Sequence, residues 1–127
     1  MRTSLVIAIS LLCLTLAAGL LEEHETRMLS QRYQSAAEEL HIMTGKADWE
    51  RASATVTAYL ETWQSTVPWL QVLINHEDID DVTLALERLQ AAIEAREQGS
   101  CFEACAELRE NARHIHHRDA FSLGNVL

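Results

Sequence analysis

The sequence predicts an all-α protein: an N-terminal membrane helix that continues into a small antiparallel bundle of three to four helices. Three observations predict it. One proline (Pro68) and four glycines interrupt 127 residues rich in alanine, leucine and glutamate, and those three residues form helices well. Apolar residues recur at steps of three and four from Glu22 to about His117, the spacing of one helical face. Residues 5–21, LVIAISLLCLTLAAGLL, carry no charge. The expected organisation is an anchor over 1–21, a bundle over 22–119 and an apolar tail over 120–127.

With Thr3 and Ser4 the uncharged run is 19 residues, at the short end of what spans a bilayer. Ala17-Ala18-Gly19 offers small residues to a signal peptidase, which would release a secreted protein. The apolar run nevertheless continues through Leu20-Leu21 into helix-favouring sequence, which favours an uncleaved anchor. Ser10 occupies the place where lipoprotein signals carry an aliphatic residue, so Cys13 reads as a buried residue of the segment. Arg2 and the free amino terminus set the orientation N-in, with the bundle outside the cytoplasm.

Four stripes follow. Met28, Leu29, Tyr33, Ala36, Ala37, Leu40 and Met43 form the first, with Gly45 as its stop. The second opens at Asp48 as N-cap and runs through Trp49, Ala52, Val56, Tyr59 or Leu60, Trp63, Val67, Leu70 and Leu73. Pro68 should kink it near residues 64–68. Asn75 is expected to cap the third, with Asp78 reaching back to it and Glu77, Asp80 and Asp81 favoured by the positive helix end. Ile79, Val82, Leu86, Leu89 and Ile93 make its stripe, and Gly99 is read as its end. Ser100-Cys101-Phe102-Glu103 reads as a capping box opening the fourth, striped by Phe102, Cys105, Leu108, Ala112 and Ile115. ADWERA (47–52) and SCFEAC (100–105) echo each other, as two helical hairpins would.

Charge excludes some functions. The chain carries −9 overall, and the part from Glu22 onward has nine basic against 19 acidic residues, or −10. Nucleic acid needs a basic surface, so it is not an expected partner. Broad contact with anionic lipid is disfavoured for the same reason.

The segment WLQVLINHEDIDDVTLALERLQAAIEA, then His114-Ile115, then FSLGNVL at the end, resembles a small bacterial family catalogued as domain of unknown function 4363. The resemblance is most specific at His76, Glu77, Ile79, His114, Ser122, Leu123 and Asn125. The chain departs from the pattern with Asn75 in place of aspartate and Gly124 in place of lysine, and Cys101 and Cys105 are its own. The resemblance implies a short membrane segment followed by helices. It implies no activity.

Two sets of residues are candidates for function. His76 and Asp80 are four apart, as are Glu110 and His114, so each pair can share one helical face. If the two helices are neighbours, the four side chains could ligate a divalent metal such as zinc, manganese or iron. The competing reading is two surface pairs, and no cofactor is required. Trp63 and Trp69 around Pro68, and Phe121, Leu123 and Asn125 in the tail, are the expected interaction residues, although both tryptophans also suit a plain core. Cys101 and Cys105 sit one turn apart, read as free thiols, since a disulfide within a regular helix is strained. No nucleophile elbow, phosphate loop or dinucleotide fingerprint is present, so an enzyme is not expected. The expected role is a non-enzymatic accessory module for an integral membrane protein, anchored through its N-terminal helix.

Overall fold

The computed structural model describes the backbone of residues 1–126 and the side chains of residues 1–115. It contains four α-helices and, among the described residues, no strand: α1 (Arg2–Gly45), α2 (Trp49–Leu73), α3 (His76–Glu94) and α4 (Gln98–Val126). Each helix packs on its chain neighbours, and α4 closes the ring against α1. The result is an up-down-up-down bundle carried on one long helix.

At ~1.5 Å per residue, the 44 residues of α1 extend about 66 Å. Its first half stands clear of the bundle, and burial on α1 begins at Thr26. From there Tyr33, Ala36, Ala37, Leu40 and Met43 face inward, as the stripe predicts, whereas Met28 is exposed. The other three stripes also face inward, with Trp49, Val67, Leu73 and Phe102 half-buried at their edges. Trp63, Tyr33, Leu40, Leu86, Leu89, Leu108 and Ile115 are each under 2% exposed, and each such side chain contributes about 1.5–3 kcal/mol through burial.

Small and hydroxylic residues shape the seam between α1 and α4. Ser30 Oγ donates to the Ala112 carbonyl at 2.7 Å, and Gln34 Nε2 donates to Ser30 Oγ at 3.0 Å. At the other end of the seam, Gln98 Nε2 donates to the carbonyls of Thr44 and Gly45, both at 3.1 Å. Those carbonyls are among the ones a helix terminus leaves without intrahelical partners. Ser30, Ala37 and Thr44, spaced by seven, are all buried.

Two connections share one design. After α1, Ala47 takes φ 55° and the Asp48 amide bonds back to Met43; after α3, Arg96 takes φ 55° and the Glu97 amide bonds back to Ala92. Each is a Schellman closure with a non-glycine residue in the left-handed position. Asp48 and Glu97 then accept the first bond of the next helix, from Ala52 and Cys101.

This corrects two expectations. Gly99 does not end α3, and Ser100 does not cap α4: α3 ends at Glu94, Glu97 occupies the cap position, and Ser100 Oγ donates to Glu97 Oε2 at 3.1 Å from within the first turn. The Schellman bonds close the chain after three residues and start α4 one turn earlier than the S-x-x-E motif indicates. The structural repeat therefore pairs Trp49 with Gln98, offset by one turn from the sequence echo. Gly45, likewise, is the last residue of α1, and the turn itself falls on Ala47.

At the third connection Asn75 is the N-cap, as its type predicts. Asn75 precedes α3 with extended backbone (φ −62°, ψ 138°), and its side chain accepts from the Glu77 amide at 3.3 Å. The helix α2 runs through Pro68. Nearby, the Ser65 and Thr66 hydroxyls donate to the Thr62 carbonyl at 2.8 and 2.7 Å.

Candidate functional site

The four residues expected to bind a metal do not converge. His76, Asp80, Glu110 and His114 are all exposed, and among the described residues no three His, Cys, Asp or Glu side chains form a group that could hold an ion. What forms instead is a surface cluster on α4. Glu110 Oε1 accepts from Arg113 Nη2 at 2.6 Å and lies 3.4 Å from His114 Nε2. The hydrogen bond from Arg113 holds the Glu110 carboxyl below the ordinary carboxylate range. The carboxylate that would have completed the metal set is committed to a cation three residues away. Tertiary register, invisible in i,i+4 spacing, decides the matter.

Cys101 and Cys105 are free and buried. Burial, and secondarily Cys101, pushes the Cys105 thiol up to about 12; burial and Glu97 raise that of Cys101. A thiol that stays protonated is a poor nucleophile.

The two tryptophans near Pro68 have opposite fates. Trp63 is fully buried, which removes it from the expected interaction surface. Its Nε1 donates to Thr83 Oγ1 at 2.8 Å, and its ring meets that of Tyr33 edge-on at 5.0 Å. Trp69 is 56% exposed. The side chains of Phe121, Leu123 and Asn125 lie outside the described ones.

Trp69 borders an open groove of about 340 Å³ between α1 and α2, walled by Thr26, Met28, Leu29, Arg32, Leu70 and Leu73 among others. The groove sits at the end of the bundle nearest the apolar half of α1, because α2 runs antiparallel to α1 and finishes there. Trp63 lies level with Tyr33, so the chain six to ten residues further on lies level with residues 23–27 of α1. Val72, on the last turn of α2, is 83% exposed. The sequence stripe on α2 identifies Leu70 and Leu73 correctly, and it leaves Trp69 at the edge of the inward face and Val72 on the far side. That residual pair is the signal that sequence reasoning passed over for Val72.

Fold and surface together define a class: a four-helix bundle on a single long helix whose N-terminal half is apolar and exposed. Within that class the chain belongs to the family described as Domain of unknown function (DUF4363), whose model matches residues 21–126. The matched region begins where the apolar run ends. No curated protein and no solved structure matches the chain.

Proposed function

We propose that this protein is a non-enzymatic interaction module, anchored by α1 in the cytoplasmic membrane with its bundle on the outer side, where it serves an integral membrane partner. The apolar half of α1 carries this reading. Ten large apolar side chains between Leu5 and Leu21 are each more than half exposed, and each left in water forfeits on the order of 1.5–3 kcal/mol. A bilayer removes that cost. Arg2 before the run supports the N-in orientation. Tethering then raises the effective concentration of the bundle near a membrane partner.

The reading assigns binding rather than chemistry to the bundle. Its support is the engagement of the bundle's reactive groups: Cys101 and Cys105 are buried, and burial raises their thiols, and Glu110 and His114 pair with each other on the surface. A reporter fused after Leu127 tests the topology. Activity of a reporter that works only outside the cytoplasm is the expected result, and a cytoplasmic reporter overturns the orientation. Native purification of the tagged full chain from membranes in mild detergent tests the role. A stoichiometric membrane protein should accompany it, and purification alone overturns the accessory role.

A further inference from the structure

We infer that the α2–α3 end of the bundle is embedded in the lipid headgroup layer through Trp69 and Val72, so that the bundle sits flush on the membrane rather than standing off on a stalk. The inference rests on the proposed anchoring by α1.

The uncharged run of residues 3–21 is 19 residues long, or about 28 Å of helix, close to the ~30 Å hydrocarbon thickness. Leu21 therefore marks the boundary of the apolar layer. The headgroup region beyond it is roughly 5–8 Å deep on each side. The helix α1 is unbroken from Arg2 to Gly45, so distance along it converts directly to height, less whatever tilt shortens.

From the level pairing of Trp63 with Tyr33, Val72 lies opposite residue 24 and Trp69 opposite residue 27. Those positions are three and six residues past Leu21, about 4 and 9 Å along the helix. Leu73 and Glu25 both line the groove, in keeping with that level. Val72 thus falls inside the headgroup layer, and Trp69 lies just beyond its outer edge, within side-chain reach of it. Tryptophan is enriched there because its ring is apolar and its N–H is polar.

Exposure distinguishes this end. Among the described residues after Leu21, the exposed large apolar side chains are Met28, Ile42, Trp69, Val72 and Leu84. Three of the five, Met28, Trp69 and Val72, gather near the membrane boundary. Ile42 lies at the far end of α1, and Leu84 stands in the middle of α3. The exposed carboxylates Glu77, Asp80 and Asp81 at the start of α3 select a zwitterionic rather than an anionic surface.

The test uses the full chain in nanodiscs of phosphatidylcholine. Trp69→Phe subtracts one fluorophore from an exposed position, so the difference in emission between wild type and variant isolates Trp69 from Trp49 and Trp63. Lipid carrying a nitroxide on its headgroup should abolish most of that difference signal, while aqueous iodide should leave most of it. Loss to iodide with no loss to the nitroxide lipid, in protein that still floats with the discs, overturns the inference and leaves the anchoring intact. Shielding from both quenchers also overturns it, because Trp69 is then covered by protein, such as a second copy. Failure of the protein to float with the discs overturns the anchoring and this inference together.

Discussion

Ser30 on α1 donates its hydroxyl to the backbone carbonyl of Ala112 on α4, 82 positions away, at 2.7 Å. Both residues are buried. A small side chain at Ser30 lets the two helices approach, and the hydroxyl then has a fixed partner. Ser30→Ala keeps the space and removes the bond, and is expected to cost about 0.5–1.5 kcal/mol. Ser30→Leu forces the helices apart and should cost more, about 1–3 kcal/mol or beyond. Thermal unfolding of both variants by circular dichroism in mild detergent checks the order. Equal losses would show that space at this position is irrelevant.

The Trp63 indole N–H donates to Thr83 Oγ1, whose own proton goes to the Ile79 carbonyl at 2.9 Å. Thr83→Val keeps the shape and strands the indole N–H, at an expected cost of about 1–3 kcal/mol. Trp63→Ala opens a cavity at the centre of the bundle and should cost about 3–5 kcal/mol. In Trp63→Phe, Thr83→Val should be nearly without effect, since no donor remains to be stranded. That double-mutant comparison separates the bond from the packing.

Alkaline conditions should destabilise the fold. Burial pushes the Cys105 thiol from an ordinary 9.0 to about 12, and burial likewise pushes the Tyr33 phenol from 10.0 to about 12. In both cases the folded chain keeps a proton that the unfolded chain releases. The stabilisation is complete below about pH 9 and is lost as the pH rises towards 12, since the unfolded state then binds fewer protons. Denaturant midpoints measured between neutral pH and about pH 10.5 should fall, and Cys105→Ala should make the fall shallower. A flat profile would mean that these groups titrate freely. Thiol reagents at neutral pH should modify Cys101 and Cys105 only after unfolding.

Ala47 and Arg96 each hold φ 55°, a conformation that costs a residue with a Cβ about 1–2 kcal/mol. Glycine removes that cost and gives back part of it as chain entropy. Ala47→Gly and Arg96→Gly are each expected to stabilise the bundle by several tenths to about 1 kcal/mol. A lower melting temperature in either variant would show that the Cβ or the Arg96 side chain contributes more than the strain.

The capping signals show how far local sequence reaches. Asn75 caps α3 as its type and position predict, because an N-cap needs only its own side chain and the next two amides. The Ser100 motif misleads for the complementary reason. A Schellman closure on Arg96, a residue with no glycine signature, starts α4 before the motif is reached. The same division applies to the candidate site. The stripe on α2 separates Leu70 from Trp69 by helical phase alone, yet Trp63 belongs to the core only because α1 and α3 supply Tyr33 and Thr83 around it.

By itself the sequence determined the class of the fold, the apolar run that opens α1, most of each helix's inward face among the described residues and the family, since each depends on composition, periodicity or motif within one stretch of chain. Tertiary structure alone decided that His76 and Asp80 do not join Glu110 and His114 in one group, that Ser30 meets Ala112, and that Trp69 and Val72 stand near the foot of the bundle. Those outcomes depend on the relative register of antiparallel helices. Register is set by which side chains interlock across a seam, and no single helix carries that information in its own periodicity.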